Sequence, residues 1–289
     1  MDRLVFVFLL TAFINLINTL TRSSRLSGVR TGRLATAISL FGVIYLAASF
    51  ANTLQAPLLA STVERIITGA YNQSLAISPD NATGTFIYRE ALAELNFKLR
   101  FVMLGASVGT ILGIISIPSF VTSYSNAIKA FGRTGSVFKV IFVILLQVLK
   151  PGSGVVVFRM SSWKTLKEIL TGKMTTARGF LYWSLVSYSL WTVNVLSGLF
   201  AGAMYPEFRT VAVLMASIVG NASIVLNVMM VDPVMARVTD AVARGEESEL
   251  ELKRIIFYLA VSNLFGTLLG QVIFEPVAQG LHVLTRWFA

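Results

Sequence analysis

The sequence has no cysteine and only one histidine, His282. The absence of cysteine excludes disulfides, thiolate metal sites and cysteine nucleophiles, and a lone histidine argues against a histidine-based metal centre or catalytic dyad. The sequence also lacks the Gly-x-Ser-x-Gly, His-Glu-x-x-His and phosphate-binding-loop motifs. We therefore expect no catalytic residues, no metal and no cofactor.

Charge is scarce as well. Charged residues occupy 13% of positions, about half of what a soluble domain carries, while 55% of residues are hydrophobic and the mean hydropathy is +0.73. This composition indicates an integral membrane protein. The 24 Lys and Arg residues outnumber the 14 Asp and Glu residues, which in a membrane protein predicts basic cytoplasmic loops and affinity for anionic lipids rather than for nucleic acid.

Six apolar segments have the roughly 20 residues that a helix needs to span a bilayer. They cover residues 4–21, 34–56, 101–122, 180–204, 210–231 and 255–274. A seventh apolar run, 140–149, is too short to span and precedes the helix-breaking residues 151–154, which predicts a re-entrant or in-plane element. The sequence thus predicts an all-α, polytopic protein in which residues 1–289 form a single transmembrane domain.

The basic residues also predict the orientation. The loops 22–33, 123–179 and 232–254 would share one face, and they hold 17 of the 24 basic residues. We expect that face to be cytoplasmic and both termini to lie outside. In the middle loop, Trp163, Leu166, Ile169 and Leu170 share a helical face, which predicts an amphipathic helix on anionic lipid. The charged run 246–254 predicts a solvated helical lead-in to the last span.

No charged residue lies at the centre of a predicted span, so the usual sign of ion coupling by a buried carboxylate is missing. Amides occur there instead, either as links between helices or as the lining of a hydrated groove. These are Asn15, Asn18, Asn52, Gln55, Asn194, Asn221, Asn227, Asn263 and Gln271. Pro57 predicts that the second span kinks or ends near Gln55.

Small residues recur at four-residue spacing in several spans, which allows close helix packing within the chain or in a homodimer. Between the first two spans, the stretch SRLSGVRTGR concentrates arginines. Two explanations stay open for this cluster: it is a topology signal, or it binds an anion.

The strings RLSGVRTGRLATAISLF and SFANTLQAPLL, within residues 18–65, resemble the N-terminal signature of the Amj-type alternate lipid II flippases of bacteria. The resemblance implies a plasma-membrane protein that moves lipid II from the inner to the outer leaflet for peptidoglycan synthesis, without covalent chemistry. Lipid II is an undecaprenyl-pyrophosphate-linked disaccharide-pentapeptide, so its carrier needs cations for the phosphates and hydrogen-bonding groups for the sugars.

The resemblance also suggests a set of substrate-binding residues. On the inner side and along the second span these are Arg22, Arg25, Arg30, Arg33, Asn18, Asn52 and Gln55, and at the far end of the path Lys98 and Arg100. Gly28 and Gly32 would let the backbone approach a phosphate. Glu64 and Asp232, at span ends, are candidates for ion coupling, with helix capping as the alternative.

Two other functional classes stay open. The chain would be a non-transporting scaffold if its basic loop 123–179 recruits cell-envelope enzymes. It would be a small-solute transporter if the groove takes a smaller cargo, although the lack of a central charge weakens that interpretation.

Overall fold

The computed structural model describes residues 2–135, 163–176 and 178–288, and all regular structure in those ranges is helical. The α-helices are α1 (Asp2–Leu20), α2 (Ser23–Thr31), α3 (Leu34–Ile77), α4 (Phe86–Thr134), α5 (Trp163–Thr171), α6 (Gly179–Met204), α7 (Arg209–Leu226), α8 (Asp232–Ala243) and α9 (Glu249–Phe288). Six helical segments are long and apolar enough to cross a membrane, which confirms the six-span, all-α prediction. The short run 140–149 lies outside the described residues.

Several helices extend well beyond the predicted spans. α3 has 44 residues and passes through Pro57. Of the two expected outcomes near Gln55, a kink or an end of the helix, the second is therefore wrong. One proline removes a single backbone donor, and a membrane helix packed on its neighbours tolerates that loss. After this helix, the 3-10 segment Pro79–Gly84 leads into the 49-residue α4.

The arginine-rich stretch is predicted to be a loop, but the structure shows that most of it forms the helix α2. A tight turn at Thr21 and Arg22 separates it from α1. There the Thr21 hydroxyl donates to the Ile17 carbonyl at 3.3 Å, and the Ser24 hydroxyl donates to the Thr21 carbonyl at 2.7 Å. Such side-chain bonds compete with regular helix bonding, which explains a break at this Ser/Thr-rich point.

The glycine row of α4 packs directly on α1. A Cβ atom on Gly109 would lie 2.0 Å from the Ala12 carbonyl oxygen, and one on Gly105 would lie 2.6 Å from the Phe8 carbonyl oxygen. Likewise, Gly266 of α9 faces α6. These rows therefore serve packing within the chain, where small residues let helix backbones approach closely.

This packing gives a stability prediction. We expect Gly109→Ala to lower the free energy of unfolding by about 1–3 kcal/mol, because the new methyl group overlaps the α1 backbone. In Gly69→Ala the methyl group meets open space on α3, so that variant should be unchanged or gain about 0.5–1 kcal/mol. Melting temperatures in detergent test this, and equal values for the two variants would contradict the packing described.

The start of α9 holds α5 in place. The predicted lead-in to the last span is helical from Glu249, but Glu251 and Arg254 are buried rather than solvated. Glu251 and Arg254 form an ion pair at 2.7 Å, with side chains only 2% and 8% exposed. Arg254 donates to the carbonyls of Glu168 and Ile169 at the end of α5 and to that of Lys173. A helix leaves its last carbonyls without internal partners and carries partial negative charge there, so a guanidinium is well suited to this end.

Glu251 holds the chain that follows α5. It accepts hydrogen bonds from the Thr175 backbone N–H and hydroxyl, both at 2.9 Å. α5 itself places Ile169 in the interior and leaves Leu170 50% exposed, in keeping with an amphipathic helix. The side chain of Trp163 lies outside the described residues.

Candidate functional site

Arg22, in the turn between α1 and α2, lies at the centre of a polar cluster whose other members come from the C-terminal half of the chain. Its Nη2 donates to the Asn227 Oδ1 at 2.7 Å. In the amide orientation that satisfies both ends of Asn263, Arg22 Nη1 donates to the Asn263 oxygen at 3.1 Å. In that orientation the Asn263 nitrogen donates to the Ser184 hydroxyl at 2.9 Å. We call Arg22, Asn227, Asn263 and Ser184 the Arg22 cluster; it joins the α1–α2 turn to α6, α7 and α9.

A π-helical turn, Asn227–Val231, presents Asn227 to this cluster. Asp232 and Pro233 follow directly and begin α8. Proline has no backbone N–H, so the turn before it cannot complete the α-helical bonding pattern, and wider π turns of this kind often occur at functional sites.

The charge of Arg22 has no direct partner. Within the described residues, no carboxylate oxygen lies within 4.0 Å of its guanidinium. Asp232 is the acid that interacts with Arg22 electrostatically, but the Asn227 amide stands between them, 3.4 Å from the Asp232 carboxylate. A cation held by neutral amides in a partly buried position attracts an anion.

Polar residues continue from Arg22 along one face of α1. Asn15 accepts a hydrogen bond from the Tyr188 hydroxyl at 3.3 Å, and Asn18 and Thr19 lie beside the same hydroxyl. One turn further, Thr11 accepts from Gln55 Nε2 at 2.9 Å. Residues four apart share a helix face, so Thr11, Asn15 and Thr19 are contiguous. Tyr188, which contacts Asn15, also interacts electrostatically with Arg22 and so extends this run to the Arg22 cluster. We call this run, from Gln55 to Arg22, the polar track.

The polar track ends in a cavity of about 130 Å³ between α1, α3, α4 and α6. Four amides line it, namely Asn15, Asn52, Gln55 and Asn194, together with Trp191. The two amides predicted along the second span therefore do face a cavity, with Gln55 buried and Asn52 exposed. Amides and an aromatic ring offer hydrogen bonds and a stacking surface, so this cavity suits a polar, uncharged group such as a sugar.

Comparison with known proteins settles the family. A sequence model of the Amj family, described as alternate to MurJ, matches residues 10–285. The chain is 33% identical to a Bacillus subtilis (strain 168) protein named Lipid II flippase Amj, over 99% of this chain and 98% of that protein. The chain belongs to the Amj family. No solved structure matches it.

The other arginines of this Amj-family chain have different surroundings. Arg30 forms an ion pair with Glu249 at the start of α9. Arg33 is exposed and lies against Gly132 of α4. Arg25 is partly buried, lies near Arg22, and makes no side-chain hydrogen bond within the described part of the chain. Of the three, Arg25 is the one whose charge lies close enough to affect Arg22 electrostatically.

The two glycines of this stretch have structural roles. A Cβ on Gly28 would lie 2.9 Å from the Ala37 side chain, so Gly28 is occupied by the contact between α2 and α3. Gly32 ends α2 with a φ of 65°, and its N–H donates to the Val29 carbonyl at 3.1 Å. The expectation that Gly28 approaches a phosphate is therefore wrong, since its surface already packs on α3.

Two further predicted residues lie toward the opposite end of the bundle. Lys98 pairs with Glu94 one turn earlier on α4. Arg100 pairs with Glu275 of α9 at 2.8 Å and donates to the Asn96 side chain at 2.6 Å. Both cations are thus engaged, and Arg100 links α4 to α9.

Glu64 lies at that same end, where it pairs with Arg209 of α7. Its side chain is 55% exposed, against 18% for Arg209. Glu64 also accepts from the Thr68 hydroxyl at 3.2 Å. In this conformation the charge of Glu64 is therefore balanced by Arg209.

Sequence reasoning missed how Tyr188, Asn227 and Asn263 combine. The two asparagines are predicted span amides, but no feature of the sequence indicates that they converge on Arg22 from helices far apart in the chain. Tyr188 carried no signal at all. The described residues contain no group of three or more acids, histidines or cysteines placed to hold a metal ion.

Proposed function

We propose that this chain moves lipid II across the plasma membrane of a bacterium, as the name of its Bacillus subtilis relative states for that protein. The observation that carries the proposal is the continuous polar track from the amide cavity to the Arg22 cluster. A headgroup with a pyrophosphate and sugars cannot cross hydrocarbon unaided, and such a track replaces its hydration. The transfer involves no covalent step.

Arg22 and Arg25 are the residues we assign to the pyrophosphate. A guanidinium binds phosphate oxygens through two parallel hydrogen bonds, and Arg22 has no carboxylate in contact to compete. Asp232 would take the place of the phosphate after release, because it lies just beyond Asn227. This exchange is the proposed role of Asp232.

The amide cavity is the proposed sugar site. Its volume of about 130 Å³ is below the roughly 300–1,000 Å³ of a typical ligand pocket. The cavity must therefore widen to take a disaccharide, and the conformation described here corresponds to a closed stage of transport.

Replacement of one cavity amide tests the sugar site. Gln55→Leu removes a neutral hydrogen-bonding group, so we expect lipid II transfer to fall roughly two- to tenfold. Asn221→Leu replaces an exposed amide of α7 outside the cavity and serves as the matched control. Transfer is measured in proteoliposomes by exposure of the headgroup to an impermeant reagent. Equal transfer by both variants would remove the cavity from the path.

The proposed orientation places α5 and the α2–α3 turn in the cytoplasm and both termini outside, following the excess of basic residues. The exposed Lys167 of α5 would then bind anionic lipids. We also propose a homodimer. Its interface would not involve the glycine rows of α4 and α9, because these pack within the chain.

The scaffold alternative makes an opposite prediction. It gains if Arg25→Gln leaves function intact while removal of charge from residues 123–179 abolishes it. The transport proposal gains from the reverse result.

A further inference from the structure

We propose that the chain is an inverted repeat of two three-span halves that rock against each other. The first half is α1–α4 and the second is α6–α9. Within each half, the closest packing is between the first and the third span: α1 on α4, and α6 on α9. A unit of three spans leaves the membrane on the face opposite to its entry, so the second half is inverted relative to the first, whichever face is cytoplasmic.

Glycines make the equivalent contact in both halves. In α4, Gly105 and Gly109 meet the backbone of α1. In α9, a Cβ on Gly266 would lie 2.8 Å from the Leu185 carbonyl oxygen of α6, and one on Gly270 would lie 3.3 Å from Thr192. In both halves, the first span therefore packs against two glycines that lie four residues apart on the third span.

The contact between the halves places a two-fold axis in the membrane plane. α4 and α9 run antiparallel, since Arg100 meets Glu275 while Ser107 meets Thr267 at 2.9 Å. If Gly105 is equivalent to Gly266 and Gly109 to Gly270, then Ala106 is equivalent to Thr267. Thr267 contacts Ser107, the next residue after its equivalent Ala106. The two helices therefore cross where equivalent residues meet, as a two-fold axis at that point requires.

Apolar clusters from both halves close both ends of the interface. Toward Glu64, the cluster includes Leu59, Leu99, Leu196 and Phe274. Toward Arg30, a second cluster includes Leu26, Val121, Leu252 and Ile256, and the polar Arg22 cluster lies at this end too. The structure is therefore closed at both ends, and rocking of the two halves would open one end at a time.

Ion pairs latch the halves on both faces. Arg30 and Glu249 join them on one face, and Glu64 and Arg209 join them on the other. The side chains of Arg30, Glu249 and Glu64 are 33%, 38% and 55% exposed. Exposed ion pairs of this kind contribute little to stability. Such latches can open and reform during each transport cycle. The cargo assigned to this motion rests on the proposed function, whereas the repeat itself does not.

Crosslinking tests the motion, and the chain has no cysteine to interfere. One double variant is Glu64→Cys with Arg209→Cys, and another is Arg30→Cys with Glu249→Cys. We expect a short reducible bis-thiol linker in either to reduce lipid II transfer to the level of vesicles without protein, and reduction to restore it. The matched control is Ser74→Cys with Thr85→Cys, two first-half residues whose hydroxyls are 2.6 Å apart. Unchanged transfer in both linked variants would overturn the proposal.

A second measurement does not depend on lipid II. Spin labels at the Glu64→Cys and Arg209→Cys positions report the distance between the halves in vesicles. We expect two distances for this pair and one for the control pair at positions 74 and 85. A single narrow distance for both overturns the repeat motion. Two distances in a protein that transfers no lipid II would instead retain the motion and reject the proposed cargo.

Discussion

Arg22→Gln is expected to reduce lipid II transfer roughly tenfold to a hundredfold, because a hydrogen bond to a charged group contributes about 1.5–3 kcal/mol. Glutamine lacks both the charge and the fork of the guanidinium. Arg22→Lys keeps the charge but cannot contact Asn227 and Asn263 together, so we expect intermediate transfer. The measurement is the rate at which the headgroup becomes accessible in proteoliposomes.

The control is Arg237→Gln, which removes an exposed arginine of α8. It should transfer lipid II like the parent protein. Melting temperatures of all three variants show whether the cluster only supports the fold. If Arg22→Lys and Arg22→Gln lose transfer equally and lose stability equally, Arg22 would be structural and the pyrophosphate assignment would be wrong.

Glu251→Ala is expected to lower the free energy of unfolding by about 3–5 kcal/mol, as is usual when one partner of a buried ion pair is removed. The change leaves Arg254 without its carboxylate and releases both hydrogen bonds to Thr175. The segment after α5 would lose its attachment to α9, and the hydrogen bonds from Arg254 to the α5 carbonyls would lose their support. Protease cleavage between residues 163 and 178, together with thermal unfolding in detergent, reports the loss.

Arg244 and Glu246 provide the matched control, since they form an ion pair whose side chains are more than half exposed. Glu246→Ala should leave the melting temperature unchanged. Equal destabilisation by Glu246→Ala and Glu251→Ala would contradict the role of the buried pair in docking α5.

The six spans could be predicted from the sequence because hydropathy over about 20 residues reports burial in a bilayer directly. The path of α3 through Pro57 could not, since whether a proline ends a helix depends on the helices packed around it. The same limit applies to Glu251 and Arg254. Their charge predicted solvent exposure, and only the carbonyls at the end of α5 explain their burial.

The candidate site was predicted in part. The arginine stretch and the amides Asn52 and Gln55 were identified from the sequence, and the structure places both amides at one cavity. Arg22 is not singled out from Arg25, Arg30 and Arg33 by the sequence, because a sequence cannot show which arginine meets Asn227 and Asn263. Contacts between residues some 200 positions apart arise from packing and leave no local pattern.

Lipid II transport through the Arg22 cluster is tested most directly by lipid II transfer by the purified protein in liposomes, compared with empty vesicles and with the Arg22→Gln variant. We expect transfer by the parent protein that falls sharply in the variant while folding and insertion are retained. Transfer no faster than in empty vesicles, with and without an imposed ion gradient, would contradict it.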